Sequence, residues 1–455
     1  MGLHRIERTR KIIGWSISGV VFAGLVWAVT PGFSWRSAPY ADAATWAEGR
    51  ELFTHEWTAN DPLAGGDGLG PVFNAKSCIA CHFQGGEGGA GPATNNVQTY
   101  LVAEKSGARL SGLVHRDAAY ADQRESIDLL RRIHPVETTF KEVPAYHCDE
   151  PRRTRIVRID KDPVLAIGSI NTPALFGAGL VDRLPGKTIV QRNVLLQIAE
   201  IGRELNSDFS ELTPGRPRFL KGGRVGKFGW KAQFATLEEF VAAACANELG
   251  LGTPTTTQGK SFAVPAHLAA ASPPVAPDLS RKQFSALVAF CDTLPQPVET
   301  WPTDSIGAAN AARGKQLFES IGCAVCHPAD IGKLKGVYSD FLLHAIEPPQ
   351  TGRGASGYGD LPSEDPNHSD PEAHEWKTPP LWGVADSAPY FHDGGSPTLE
   401  TAILRHAGTA KPVAAAYDRL SREDQQALVA FLKTLRAPGA APPAANTFGG
   451  LLAVH

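Results

Sequence analysis

Two short segments combine cysteine and histidine at the spacing that attaches haem to protein. Cys78, Cys81 and His82 form a CxxCH motif in the run SCIACHF, and a second CxxCH motif lies at 323–327 in the run IGCAVCHPAD. The two cysteines of such a motif are spaced for thioether bonds to the haem vinyl groups, and the histidine is placed to ligate the iron. Structural zinc or disulfides use the same residue types, but two complete motifs favour two covalently bound haem c groups. The predicted attachment residues are Cys78, Cys81, Cys323 and Cys326, and the predicted iron ligands on this side are His82 and His327.

The surroundings of the two motifs are repeated as well, which indicates an internal duplication. Four blocks match in the same order: GRELF (49–53) with GKQLF (314–318), NTPALFG (171–177) with KTPPLWG (377–383), ATLEEFVAAACA from Ala235 with PTLETAILRHAG from Pro397, and LSRKQFSALVAFCDTL from Leu279 with LSREDQQALVAFLKTL from Leu420. The predicted fold is therefore mainly α, with two tandem cytochrome c-like domains and long loop insertions in the first.

A histidine in the third block of the second repeat is predicted to face a haem. Leu399, Ala402, Ile403 and His406 fall at i, i+3, i+4 and i+7, the spacing of one buried helical face. A histidine on such a face is usually an ordinary core residue. Here the chain has no methionine after Met1, so methionine ligation of either haem is excluded. We therefore predict His327 and His406 as the two axial ligands of the second haem.

The first repeat has alanine at the matched position. Ala244 stands eight residues after Thr236, as His406 stands eight after Thr398. The first haem therefore lacks a side-chain ligand from this helix. The neighbouring Cys245 offers a thiolate, but a plain core residue is the better interpretation. This asymmetry predicts one closed haem for electron transfer and one accessible haem for chemistry.

Two further positions are candidates near the first haem. Trp230 aligns with His392 of the second repeat, and its ring is suited either to lie between redox centres or to pack as a core aromatic. His115, His134 and His147 lie in extra chain of the first repeat, and any of them is a candidate ligand for the first iron. Most are expected at the surface, and His115, which follows an apolar pair, is the first to test.

The ends of the chain are expected to lie outside the folded body. The chain has 455 residues, a net charge of -3 and scattered charges, which gives no case for binding nucleic acid or anionic lipid. Basic residues precede an apolar run at 12–29, so residues 1–35 are predicted to be a signal peptide or inner-membrane anchor and the body to be periplasmic. Contact with the membrane is expected only through this segment. The predicted domains are 36–300 and 301–438, followed by a flexible tail at 439–455.

Three stretches resemble a known family. They are LGPVFNAKSCIACH, YSDFLLHAIEP at 338–348, and WKTPPLWGVADSAPYFHDGGSPTLETAILRHAG. They resemble the di-haem oxidoreductase family of peroxidase-like proteins, also labelled thiol oxidoreductases. A more distant similarity connects the chain to bacterial di-haem cytochrome c peroxidases and to haem-containing rubber oxygenases.

The resemblance implies a division of labour like the one expected from the repeats. In the peroxidases the C-terminal haem accepts electrons, the N-terminal haem meets hydrogen peroxide, and the axial residue of the C-terminal haem lies where His406 lies here. A calcium ion between the domains, partly on the backbone carbonyls of Ser387 and Pro389, is also implied. The peroxidases use a distal glutamate that has no evident counterpart in this chain, and Asp182 is the candidate for that acid.

The leading functional prediction is a periplasmic di-haem peroxidase-like enzyme. A small periplasmic redox protein would donate electrons, and hydrogen peroxide or another small molecule would be the substrate. One alternative is an electron-transfer cytochrome without catalysis, in which a loop histidine closes the first haem. The other is a haem oxygenase that resembles the rubber-cleaving enzymes.

Overall fold

The structure is a computed structural model that describes the body of the chain. The described residues are 42–103, 109–119, 121, 124–125, 127, 155–158, 164–205, 214–259, 276–347, 371 and 374–438. The predicted export segment at 12–29, His134, His147 and the predicted tail at 439–455 lie outside these residues. None of the helices in the described part of the chain is both long enough and apolar enough to span a membrane.

Helices of the two repeats occur in matching order. In the first repeat they are α1 (Ala43–Thr54), α2 (Ala178–Arg183), α3 (Gly186–Leu205), α4 (Leu237–Ala244) with a π-helical turn (Cys245–Leu249), and α5 (Arg281–Asp292). In the second they are α6 (Ser305–Ser320), α7 (Leu399–Leu404), α8 (Lys411–Asp418) and α9 (Arg422–Leu432).

The matched helices begin with the same kind of cap. Side chains at the N-caps accept hydrogen bonds from backbone amides of the first turn, which satisfies donors that have no partner within the helix. The equivalent caps are Asp42 with Asp304, Thr236 with Thr398, and Ser280 with Ser421. Local sequence therefore sets where each helix starts in both repeats.

The first and last helices of each repeat cross at a glycine. Gly49 of α1 lies so close to the carbonyl of Ala286 in α5 that a Cβ atom would overlap it, and Gly314 of α6 has the same relation to Ala427 of α9. Buried phenylalanine rings pack beside each crossing, with centroids 5.0 Å apart in the first repeat and 5.4 Å apart in the second. The two crossings thus share one geometry and bring the same ring pairs beside the CxxCH motifs, namely Phe53 with Phe290 and Phe318 with Phe431.

The described chain is a mixture of helices and small sheets, so the mainly α prediction is wrong in part. Its largest described sheet is antiparallel with the order β3-β2-β6-β5, made of β2 (Val97–Ala103), β3 (Arg109–Val114), β5 (Arg155–Arg158) and β6 (Val164–Ile170). The strand segments are rich in Val, Ile and Leu, which pack well on a pleated surface. The prediction relied on the helical period and overlooked these short runs.

Two-stranded ribbons complete the described fold. β1 (Val72–Phe73) pairs with β4 (Asp117–Ala118), and β7 (Phe219–Leu220) pairs with β8 (Arg224–Val225). β10 (Leu343–Ala345) pairs with β11 (Glu375–Lys377), and β9 (Val298–Glu299) pairs with β12 (Leu435–Arg436). These ribbons are short, with two or three paired residues in each strand.

Residues of the first repeat hold parts of the second. Arg216 exchanges both backbone hydrogen bonds with Leu343, at 2.9 and 2.8 Å, and its guanidinium pairs with Glu375 at 2.6 Å. Arg192 of α3 donates from its guanidinium to the carbonyl of Val325, inside the second CxxCH motif, at 2.9 Å. The insertion that contains α3 therefore supports the second cysteine motif.

We expect Gly314→Ala to destabilise the protein by about 1–3 kcal/mol through overpacking against the Ala427 carbonyl. Alanine is favoured over glycine in a helix by about 1 kcal/mol, but a main-chain carbonyl cannot rotate away from the added methyl group. The measurement is the free energy of unfolding in guanidinium chloride. Ala312→Ser, on the exposed face of the same helix, is the control and should change it by less than about 0.5 kcal/mol. Equal stability of Gly314→Ala and the parent would contradict the proposed crossing.

Candidate haem sites

Each cysteine motif lines its own cavity. The first cavity, of about 80 Å³, is bordered by Cys78, Cys81 and His82, with mostly apolar side chains around them. The second, of about 240 Å³, is bordered by the three motif residues of the second repeat, Cys323, Cys326 and His327. Apolar walls with a cysteine pair and a histidine on one side suit a covalently attached porphyrin.

Three histidines in the lining of these cavities use the same ring nitrogen for a hydrogen bond. His82 donates from Nδ1 to the carbonyl of Gly89 at 3.0 Å, and His327 donates from Nδ1 to the carbonyl of Tyr338 at 2.8 Å. His406 donates from Nδ1 to the carbonyl of Ala402 at 2.8 Å. A proton held on Nδ1 leaves the Nε2 lone pair for a metal. All three histidines therefore have the tautomer that an iron ligand requires.

Loss of hydration keeps these imidazoles neutral. Burial lowers the pKa of His82 and of His327 to about 4 in each case, and it also lowers the pKa of His406. Neutral imidazole is the form that coordinates a metal. The second cavity thus has in its lining the neutral His327 and His406, the two residues that the sequence pattern predicts as axial ligands.

His392 also lines the second cavity, but its ring nitrogens are used differently. Its Nε2 lies 3.4 Å from a carboxylate oxygen of Glu347, and its ring stacks on Trp376 with centroids 3.4 Å apart. Because Nε2 faces a carboxylate, His392 is suited to hydrogen bonding. His406 is the better candidate for an iron ligand in this cavity.

On the side formed by α4 and the π-helical turn, a methyl group and a carboxylate line the first cavity. Ala244, at the end of α4, contributes only its methyl group, as the repeat comparison predicted. Glu248 lies one turn later in the π-helical segment, and its Oε2 accepts a hydrogen bond from Nδ2 of Asn74 at 2.8 Å. Its other oxygen is buried as well. Sequence reasoning missed Glu248, although it stands four residues after Ala244 on the face that carries Leu237, Phe240 and Val241.

Two predicted residues of the first site lie away from the cavity lining. His115 is buried and its Nε2 donates to the carbonyl of Asn247 at 3.1 Å, so it supports the π-helical turn. Asp182 accepts a hydrogen bond from the backbone amide of Leu237 at 2.8 Å and helps to cap α4. Neither side chain belongs to the described lining of the first cavity. The geometry therefore gives both a supporting position, and Glu248 is the acid that lines the first cavity.

Trp230 borders both cavities. Its indole Nε1 donates to the carbonyl of Asn171 at 2.8 Å, and Asn171 with Thr172 and Pro173 also borders both. Trp230 therefore forms part of the wall between the sites.

Cys245 is buried in the lining of the first cavity, and burial raises the pKa of its thiol well above the usual value. A thiol that resists ionisation suits the core role expected for Cys245.

The chain belongs to the family described as "Di-haem oxidoreductase, putative peroxidase", whose model matches residues 116–435. It is 31% identical over 145 residues to hydrazine synthase subunit gamma of Kuenenia stuttgartiensis, a match that covers 27% of this chain and 40% of that protein. It is 29% identical over 156 residues to cytochrome c551 peroxidase of Nitrosomonas europaea, covering 33% of this chain and 43% of that protein. The chain thus spans less than half the length of these two relatives.

Solved structures with some similarity include two proteins. Hydrazine synthase of K. stuttgartiensis, pressurised with xenon, has a TM-score of 0.32 and 19% identity, with 59% of this chain and 72% of that chain covered. A MauG-like protein associated with microbial copper homeostasis has a TM-score of 0.27 and 20% identity, with 50% and 79% covered. Membership in the family identifies the chain as a di-haem oxidoreductase, and the two cavities have the residues to hold its haems.

We expect His406→Ala to convert one haem from low spin to high spin in the oxidised protein. The substitution removes an imidazole that lines the second cavity and whose Nε2 is available to the iron, because its Nδ1 proton is held by the Ala402 carbonyl. Electron paramagnetic resonance of the haem-loaded full chain measures the change. His392→Ala is the matched control, since it removes an imidazole from the same cavity and should leave the low-spin signal in place. Unchanged spectra in His406→Ala would show that another group binds the iron.

Proposed function

We propose that this chain is a periplasmic di-haem c-type peroxidase, with two tandem cytochrome c-like domains at 36–300 and 301–438. One observation carries the proposal. The cavity of the second repeat has an imidazole, His406, where the first has the methyl group of Ala244 and, one turn further on, the carboxylate of Glu248. The second site is equipped for electron transfer, and the first has room and an acid for a small substrate.

The residues of each cavity fit haem c. Cys78 with Cys81, and Cys323 with Cys326, would form the thioether bonds, while His82, His327 and His406 would ligate iron through Nε2. Haem iron, when bound, supplies the redox chemistry for the reduction of peroxide. Covalent attachment of haem c suits an exported protein, so we place the body in the periplasm, with residues 12–29 as its export segment or inner-membrane anchor.

Glu248 is proposed as the group that moves protons in the first cavity. Reduction of hydrogen peroxide to water consumes protons as well as electrons, and cleavage of the O–O bond is easier when the leaving oxygen is protonated. Asn74 holds one carboxylate oxygen of Glu248, and the hydrogen bond from His115 to the Asn247 carbonyl fixes the turn that carries it. Glu248 thus replaces Asp182 as the candidate acid.

Electrons would come from a small periplasmic redox protein. Trp230 lies in the wall common to both cavities, where an aromatic ring supports transfer between them. Glu248 lines the first cavity, and an acid serves peroxide reduction, which consumes protons, better than the insertion of dioxygen into an apolar chain by an oxygenase of the rubber-cleaving kind, which consumes none. Peroxide reduction is therefore the better of the two enzymatic proposals.

Calcium between the two halves stays part of the proposal. The carbonyl of Pro389 accepts a hydrogen bond from Nδ2 of Asn171 at 2.7 Å, and Oδ1 of the same amide is buried without a hydrogen-bond partner among the described residues. Calcium takes oxygen ligands only. In the observed orientation the Nδ2 group of Asn171 faces the Pro389 carbonyl, and Nδ2 cannot bind calcium. A calcium ion at this carbonyl therefore requires the Asn171 amide to be turned over, so that Oδ1 faces the ion.

We expect Ala244→His to close the first site and abolish peroxide turnover, because an imidazole from α4 would compete with any exogenous ligand for the iron. Overpacking should cost about 1–3 kcal/mol of stability. Cyanide binding, the high-spin signal and peroxide turnover are the measurements. Ala243→His places the same ring on the same helix but outside the described lining of the cavity, and should leave cyanide binding intact. A folded Ala244→His protein that binds cyanide as well as the parent would contradict the repeat comparison at this helix.

We expect Glu248→Gln to lower peroxide turnover by roughly 10²–10⁴-fold, since the amide keeps the shape of the side chain but cannot transfer a proton in the same way. Steady-state turnover with a one-electron donor measures the loss, and cyanide binding reports whether the cavity is intact. Glu238→Gln, on the exposed side of α4, is the control and should retain full activity. Full activity of Glu248→Gln with an intact cavity would assign proton transfer to another group.

A further inference from the structure

A buried lysine borders the second cavity. Lys377 ends β11, where it is paired with Leu343 of β10, and the residue is only 7% exposed. Lys377 belongs to the lining of the cavity that Cys323, Cys326 and His327 also border. A cation is therefore buried beside the place where the second haem would lie.

The ammonium of Lys377 has only weak contacts to compensate for its lost hydration, one of them with the ring of Phe341, whose centroid is 5.5 Å away. Its one hydrogen-bond acceptor among the described residues is the carbonyl of Thr378, at a long 3.5 Å. The nearby carboxylate of Asp340 receives a hydrogen bond from Nε2 of His344 at 2.9 Å and another from the backbone amide of Leu342. Burial lowers the pKa of Lys377 to about 8, so the group is still mostly protonated near pH 7. A buried charge without an ion pair is costly unless a ligand completes its surroundings.

The other buried lysines are better satisfied. Lys227 donates to two backbone carbonyls, at 2.6 and 3.1 Å, and so holds the C-terminal end of α2. Lys231 donates to the carbonyl of Glu375 at 2.6 Å and lies 3.6 Å from the ring centroid of Trp376. These two lysines have structural contacts that account for their burial, whereas Lys377 lines a cavity and its ammonium has one long hydrogen bond and one distant ring contact.

The first repeat has no cation at the matched position. In the matched blocks NTPALFG and KTPPLWG, Asn171 corresponds to Lys377. Asn171 is neutral and binds the Pro389 carbonyl through its amide. A buried cation at this position is therefore a feature of the second site and not of the first.

We propose that the Lys377 ammonium binds a propionate carboxylate of the haem held in the second cavity. Haem carries two propionates, and a carboxylate is the counter-ion that a buried ammonium most readily accepts in such a place. The proposal rests on the proposed covalent attachment of haem at Cys323 and Cys326. Its consequence is electrostatic: oxidised haem has one more positive charge than reduced haem, so a nearby ammonium favours the reduced state. Lys377 would thus raise the reduction potential of the second haem relative to a neutral residue.

The test is a spectroelectrochemical titration of the haem-loaded full chain, with resonance Raman spectra of the propionate bending bands. Lys377→Met should lower the reduction potential of the His327 haem, leave that of the His82 haem unchanged and shift one propionate band. Lys377→Arg keeps the charge and should stay near the parent. Lys227→Met, which removes an equally buried ammonium that does not line either described cavity, should shift neither potential. Lys377→Gln provides the same neutralisation should the methionine variant fail to accumulate.

Several outcomes would overturn the proposal. They are an unchanged potential and Raman spectrum in both neutral Lys377 variants, an equal shift of both haems, or the same shift in Lys227→Met. A parent protein without two covalent haems, seen in its pyridine haemochrome spectrum, would instead contradict the proposed function itself. A third result is also possible: the haem-loaded parent has no peroxide turnover, but Lys377→Met lowers the reduction potential as expected. This result would support the assignment of Lys377 and contradict only the proposed peroxidase activity.

Discussion

The hydrogen bond that each motif histidine donates from Nδ1 is the constraint on which both sites depend. His82 uses the carbonyl of Gly89 and His327 uses that of Tyr338. The two acceptors are presented by different loops. Around Gly89 the loop is glycine-rich and turns through left-handed conformations, whereas Tyr338 itself has a φ of 51° and is anchored by packing its ring against Phe318. Unrelated loops therefore deliver a carbonyl to the same nitrogen, because only a fixed ring with a bare Nε2 can serve as a ligand.

The two repeats differ most where the helix opposite the motif ends. α7 stops at Leu404, and His406 lies just beyond it with Nδ1 bonded back to the last turn. α4 continues instead into a π-helical turn that ends at Leu249. A π turn contains an extra residue, and such turns are often found at functional sites. Ala244 and Glu248, four residues apart, both line the first cavity, so in the proposed function one alignment position and the acid one turn later distinguish this site from the second.

Much of this arrangement was predictable from local sequence, and the rest depends on contacts distant in sequence. The cysteine motifs, the helix order and Ala244 opposite the first motif follow from the repeats. The four-stranded sheet was missed because it joins segments far apart along the chain. Asp182 was the candidate for the distal acid, yet its side chain caps α4 through the amide of Leu237, 55 residues away. His115 similarly gives its Nε2 to Asn247. Glu248 was visible as an acid on an apolar face, and the period alone was enough to find it.

The charge around the two cavities differs as much as their ligands do. Beside the second cavity, Arg405 forms two hydrogen bonds with Asp393, at 2.6 and 2.8 Å, and Glu347 accepts from the indole of Trp376 at 3.2 Å. Buried ion pairs of this kind contribute little net stability, because desolvation offsets much of their attraction. Their physical effect is to hold charges at fixed positions around the site. For the electron-transfer role proposed for the second site such a fixed electrostatic environment is favourable, since any rearrangement of charge adds to the barrier for transfer. In the proposed function the first cavity has the opposite requirement, to admit a substrate and deliver a proton, and a mostly apolar wall with one carboxylate suits that role.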